Sequence, residues 1–140
     1  MSDVYVIDAS VTIKLFIEEP DSPKAWQLFW RLTQPDPALL FAPDLLYIEC
    51  ASILWKYSRR LGYDAKMAQQ NLEDLAKLEI EVVPTYELFV KAYRLGRQFG
   101  ITAYDACYVV LARELNCPLI TADKRLVSAI PKKTASVQLL

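Results

Sequence analysis

The sequence contains no histidine among its 140 residues. That absence excludes Ser-His and Cys-His nucleophile systems, histidine acid–base catalysis and histidine-ligated zinc or iron. Any hydrolytic chemistry must run on carboxylates, hydroxyls, amines or thiols. Cysteine is scarce as well: Cys50, Cys107 and Cys117 are odd in number, scattered, and form no CxxC pair. They suggest neither a disulfide framework nor a zinc ribbon, and read as small buried hydrophobes in a reducing cytosol. No apolar run approaches the roughly 20 residues that span a bilayer. The N-terminus carries Asp3 rather than a basic stretch, so no signal peptide is expected, and a soluble cytoplasmic protein follows. There is little excess charge of either sign. A net charge of −1 neither indicates nor excludes a nucleic-acid partner, because basic patches occur on neutral proteins.

What is present is apolar and well distributed: 54% hydrophobic and 24% charged residues describe one well-cored domain over 1–140. Val4–Ser10 opens with four β-favouring apolar residues and ends on Asp8 and Ser10. Such a run reads as a strand buried on both faces, with Asp8 at its carboxyl end, where open α/β sheets bind ligands. Ser10–Ile17 has helical periodicity, closed by Glu18-Glu19-Pro20. Asp21-Ser22-Pro23 signals a new helix, with an N-cap candidate and a proline early in the helix. The stripe Trp26, Phe29, Trp30 and Leu32 reads as core or interface. A second strand is expected at Leu39–Ala42. A helix capped at Pro43-Asp44 follows, running to about Leu61 and stopped by Gly62. Asp64 caps a helix over Ala65–Leu78, and Glu81-Val82-Val83 forms a third strand. An amphipathic helix spans Tyr86–Phe99, Thr102 opens another to about Leu115, and Pro118–Thr121 is a fourth strand. Asp123 caps a short helix, and Ala135, Val137 and Leu139 mark an edge strand. Strands alternating with helices predict a three-layer α/β/α domain around a mostly parallel five-stranded sheet.

Four acids stand at positions of chemical interest. Asp8 and Asp123 lie where an apolar strand gives way to a helix, Asp105 lies in a first helical turn, and Glu49 projects from the helix after the second strand. Each has a structural explanation taken alone. Asp8 and Asp123 suit N-caps, and Thr102-Ala103-Tyr104-Asp105 matches a capping box. Glu49 fits that explanation least, because Leu45 and Ile53, four residues away on either side, are apolar, and an unpaired buried carboxylate is costly. One sheet edge can gather all four. Gathered carboxylates raise one another's pKa unless a cation neutralises them. All-oxygen ligation without His or Cys favours Mg²⁺ or Mn²⁺, and acidic clusters holding such ions commonly act on phosphates.

Val-Ile-Asp-Ala-Ser, Pro-Asp-Leu-Leu-Tyr-Ile-Glu, Thr-Ala-Tyr-Asp-Ala-Cys-Tyr-Val-Val-Leu-Ala and Leu-Ile-Thr-Ala-Asp-Lys-Arg-Leu, in that order along the whole chain, resemble the PIN-domain ribonucleases. The likeness is greatest to the VapC toxins of VapBC toxin–antitoxin pairs. The resemblance implies a helix-sandwiched parallel sheet and an endoribonuclease using Mg²⁺ or Mn²⁺. It matches the family's acids to Asp8, Glu49, Asp105 and Asp123. Asp8, Asp105 and Asp123 would hold the metal directly or through water, and Glu49 would complete the cluster or orient the attacking water. Ser10 and Thr121 take supporting roles. The resemblance further implies a homodimer and a small VapB-like antitoxin that inserts a peptide into the acidic site. RNA contact needs positive charge beside the acids, for which Lys14, Lys124 and Arg125 are best placed. Two other readings stand beside this one. A phosphohydrolase of the haloacid-dehalogenase type also places an Asp after its first strand, but needs a second Asp where Ser10 stands. A non-catalytic module would use the acidic pocket only to dock a basic peptide.

Overall fold

A computed structural model describes residues 3–140. Five strands, β1 (Val4–Ile7), β2 (Leu39–Pro43), β3 (Glu81–Val83), β4 (Leu119–Thr121) and β5 (Val137–Leu139), form one sheet in the order β3-β2-β1-β4-β5. Every pairing is parallel. The helices are α1 (Ala9–Thr12), α2 (Ser22–Trp30), α3 (Leu45–Leu61), α4 (Ala65–Ala76), α5 (Phe89–Phe99), α6 (Ala103–Leu115) and α7 (Lys124–Ala129).

β1 lies at the centre, and its sequence explains why. Consecutive strand residues face opposite sides of a sheet, and both Val6 and Ile7 are fully buried, so both faces of β1 are covered. β4 is buried at all three positions, whereas the edge strands β3 and β5 leave Glu81, Val82, Gln138 and Leu139 exposed. Helix α6 packs on β1, β2 and β4. Its run from Ala106 to Ala112 is buried throughout, as suits a helix laid across the middle of a sheet. The register sets Val6 opposite Phe41 and Leu119, and Ile7 opposite Ile120. One step further, Asp8 leaves β1 beside Thr121 at the end of β4.

Several expected helix boundaries hold. Gly62 and Gly100 both adopt φ of +69° at the ends of α3 and α5, the left-handed conformation that glycine takes without steric cost. Asp64 and Thr102 cap α4 and α6 through their side chains. Others differ. The helix expected over Ser10–Ile17 is α-helical only to Thr12 and tightens to a 3₁₀ turn over Ile13–Leu15. There Lys14 turns inward to pair with Glu19 and Asp21. Asp21 therefore does not cap α2, and Ser22 Oγ instead accepts from Glu19 N at 2.9 Å. Asp44 does not cap α3 either; its carboxylate accepts from Thr85 N at 3.0 Å and ties the end of β2 to the turn after β3. The expected Tyr86–Phe99 helix begins at Phe89, after a 3₁₀ turn over Thr85–Glu87. Of the aromatic stripe on α2, Phe29 enters the core while Trp26 and Trp30 are 46% and 64% exposed. Among the described residues, no helix is long and apolar enough to cross a membrane.

Candidate active site

The site begins with Asp8, which is only 6% exposed. Its Oδ1 accepts from Ser10 Oγ at 2.6 Å and from Val11 N at 3.2 Å, and its Oδ2 accepts from Thr121 Oγ1 at 2.5 Å. The Val11 bond is an N-cap of α1, so capping and site placement use the same side chain. Ser10 Oγ in turn accepts from Ala122 N at 2.9 Å, and Thr121 Oγ1 accepts from Asp123 N at 3.1 Å. A hydroxyl ladder thus links the ends of β1 and β4 and fixes Asp8 relative to Asp123. Burial raises the Asp8 pKa, against the lowering effect of the Ser10, Thr121 and Val11 bonds, and the charge of Asp105 raises it further.

The other acids come to the same edge. Glu49 is half-buried on α3, and its Oε1 accepts from Tyr108 Oη at 2.6 Å. Its pKa is raised by burial first, then by the charges of Asp105 and Asp8, with the Tyr108 bond opposing. Asp105 sits in the first turn of α6, its N–H held by Thr102 Oγ1 at 3.1 Å. Burial and the charge of Asp123 raise its pKa, while the Thr102 bond and the Arg125 guanidinium lower it. Asp123 caps α7, Oδ1 accepting from Arg125 N at 2.9 Å and Leu126 N at 3.4 Å.

Asp8 and Glu49 thus lie within electrostatic reach of each other and of Asp105, and Asp105 within reach of Asp123. None of them joins an ion pair among the described residues. No three His, Cys, Asp or Glu side chains of the described residues converge tightly enough to ligate one ion together. The donor set nevertheless suits a hard divalent cation: it is all oxygen, anionic and offset only in part by Arg125. Mg²⁺ commonly takes one or two carboxylates and keeps waters in its remaining positions, which accommodates acids that approach one another without closing on a single point.

Two cavities flank this cluster. One, of about 290 Å³, is lined by Thr102, Asp105, Asp123, Arg125 and Leu126. The other, of about 350 Å³, is lined by Ile48, Glu49, Ser52, Lys56 and Tyr104. Arg125 is therefore beside the acids, and Lys124 precedes it, exposed, at the start of α7. Lys14 is not available there. It is 6% exposed, and its ammonium bridges Glu19 at 3.0 Å and Asp21 at 2.8 Å. The expectation that Lys14 contacts RNA is corrected: its charge is committed to folding the chain between α1 and α2. Tyr108, in contrast, is a site residue that the sequence reading absorbed into an apolar helix. The available signal was its hydroxyl, since a phenol in an aliphatic run needs a buried partner. Burial and the neighbouring Glu49 push its pKa far up, so it stays a donor.

Comparison with known proteins agrees with this architecture. The PIN domain family model matches residues 5–132. The chain is 31% identical over 128 residues to Ribonuclease VapC3 of Pyrobaculum aerophilum, covering 90% of this chain and 94% of that protein. It is 36% identical over 87 residues to Ribonuclease VapC9 of Mycobacterium tuberculosis, covering 62% of this chain and 67% of that one. Among solved structures, PAE2754 from Pyrobaculum aerophilum superposes with a TM-score of 0.70 at 24% identity, covering 98% of this chain and 92% of that one. VapBC2 from Rickettsia felis, bound to a DNA fragment from its promoter, superposes with a TM-score of 0.68 at 12% identity, covering 98% of each chain. A family model over residues 5–132 and a relative 31% identical across nine-tenths of both chains make this chain a PIN-domain protein of the VapC family.

Proposed function

We propose that this chain is a divalent-metal-dependent endoribonuclease and the toxin of a type II toxin–antitoxin pair. The observation that carries the reading is the gathering of Asp8, Glu49, Asp105 and Asp123 at one sheet edge with none of them in an ion pair among the described residues and only Arg125 nearby to offset their charge. The ribonuclease names of its relatives support the same chemistry. Asp8, Asp105 and Asp123 would hold Mg²⁺ or Mn²⁺, in part through water. When bound, such an ion supplies activation of a water and offsets charge on the phosphoryl oxygens during in-line displacement. Ser10 and Thr121 hold the Asp8 carboxylate in one orientation. Tyr108 holds one oxygen of Glu49, leaving the other to orient the attacking water. Arg125, with Lys124 beside it, supplies positive charge for the RNA backbone at the Asp105–Asp123 cavity.

A small VapB-like antitoxin and a homodimeric toxin complete the reading. Structures similar to this one include a toxin–antitoxin complex from Klebsiella pneumoniae, and the exposed Trp26, Trp30 and Trp55 offer aromatic surface for protein contacts. The test of the enzyme is direct. Asp8→Asn and Asp105→Asn are each expected to abolish Mg²⁺-dependent cleavage of RNA while circular dichroism shows the fold retained. Cleavage at the wild-type rate by either purified variant refutes the proposal.

A further inference from the structure

The cavity on the Glu49 side of the cluster has a composition of its own. It is lined by Leu45, Ile48, Ser52, Lys56 and Tyr104 together with Glu49. Tyr104 is 65% exposed, although it stands in the first turn of α6 between Thr102, which caps the helix, and Asp105, which belongs to the acid cluster. Asp105 lines the opposite cavity with Asp123 and Arg125. Tyr104 and Asp105, adjacent in the first turn of α6, thus line different cavities. Lys56 is exposed and forms no ion pair among the described residues. Its cavity is of a size that holds small ligands, and offers an aromatic ring, aliphatic walls and one ammonium.

Resting on the ribonuclease reading, we propose that this cavity receives the base of the unpaired nucleotide next to the scissile phosphate, stacked on the Tyr104 ring. Lys56 contacts the neighbouring phosphate. Three features argue for this occupant. Aromatic rings bind unpaired bases by stacking whatever their sequence. A free ammonium beside the ring matches a strand whose phosphates alternate with its bases. The cavity shares Glu49 with the acid cluster, so an occupant of it lies against the reacting group. Each cavity pairs an acid of the cluster with a basic side chain, Asp105 with Arg125 and Glu49 with Lys56, so a strand that occupies both meets positive charge at each. Tyr104 and Lys56 are then substrate-binding residues that favour unpaired over duplex RNA.

The test measures anisotropy of a fluorescein-labelled, unstructured mixed-sequence oligoribonucleotide, and of its duplex, on the uncleaving Asp8→Asn protein with Mg²⁺ present. Tyr104→Ala on that background is expected to weaken single-strand binding roughly 5- to 100-fold, the range that loss of one stacked base gives, with little change for the duplex. Tyr104→Phe, which keeps the ring, is expected to retain affinity. Lys56→Gln is expected to reduce the slope of log affinity against log salt by about 0.7, the contribution of one single-strand phosphate. In the wild-type background, Tyr104→Ala is expected to raise KM more than it lowers kcat. Unchanged single-strand affinity in Tyr104→Ala overturns the proposal, as does loss of a co-purified protein partner with RNA binding intact, which assigns the cavity to protein. A wild-type protein that cleaves no RNA strikes instead at the ribonuclease reading and leaves the binding comparison standing.

Discussion

Asp8 is held under opposing demands. Three donors fix its carboxylate, yet burial and the charge of Asp105 favour its protonated form. Removing the charge should therefore relieve the metal-free protein. At pH 7 in EDTA, Asp8→Asn is expected to melt at a higher temperature than the wild type while losing cleavage, and a lower melting temperature counts against the electrostatic account. Tyr108 has the opposite balance. Among the described residues its hydroxyl serves only Glu49, and a bond to a charged group contributes about 1.5–3 kcal/mol. Tyr108→Phe is expected to lose stability of that order in urea denaturation and to lower kcat, because Glu49 is no longer held. These two residues also show what a sequence discloses. Asp8 was legible because an apolar strand ended on it. Tyr108 was not, because its neighbours Val109, Val110 and Leu111 made it look like one more core side chain, and its partner is 59 residues away. Lys14 misled for a related reason: its partners stand only five and seven residues on, but reach it around a turn that periodicity does not reveal.

At the scale of elements, local chemistry placed the boundaries wherever the capping group had no competing partner. Gly62, Gly100, Asp64 and Thr102 ended or began helices as their residue types dictate. Asp21 and Asp44 were drawn away by Lys14 and by Thr85 N respectively, and no local pattern carries that information. Gly96 makes the same point within α5. Helix propensity favours alanine over glycine by about 1 kcal/mol, which on its own predicts that Gly96→Ala stabilises. In the structure, a Cβ at Gly96 meets the backbone carbonyl oxygen of Ile101 at 2.8 Å, a contact that only backbone movement relieves. Gly96→Ala is therefore expected to destabilise, by about 1–3 kcal/mol as overpacked sites do. The displaced Ile101 precedes Thr102, which caps α6 and carries Asp105, so cleavage should fall as well. A urea midpoint above the wild-type value shows that the α5–α6 turn yields more easily than its geometry implies.

At the scale of the whole molecule, strand order is what turns separate acids into a site. The alternation of strands and helices was readable from the sequence, and so was the placing of acids at strand ends. The adjacency of β1 to β4, which sets Thr121 beside Asp8 across 113 residues, comes from the packing of the sheet. The site then leaves its mark on the stability of the entire domain. Asp8, Glu49 and Asp105 all have pKa values raised above those of the unfolded chain. Between the ordinary carboxylate range, about 4, and the raised values, the native state binds more protons than the unfolded state. The linkage slope is then negative, so this contribution is fully present below about pH 4 and is lost as pH rises through the raised values. A divalent ion bound by the folded state alone restores stability by mass action at neutral pH. Other groups add their own pH dependence, Asp21 among them, whose pKa Lys14 lowers so that its stabilisation is lost only as pH falls below the ordinary carboxylate range, so the informative quantity is the difference between wild type and Asp8→Asn. Melting temperatures measured in EDTA from roughly pH 4 to pH 8 are expected to show the variant's advantage growing with pH. Adding Mg²⁺ or Mn²⁺ is expected to shrink or reverse that advantage, because on the proposed reading Asp8 is a ligand that the variant lacks. An advantage that stays constant with pH, or that ignores the added ion, breaks the link between the raised carboxylates and a cation site.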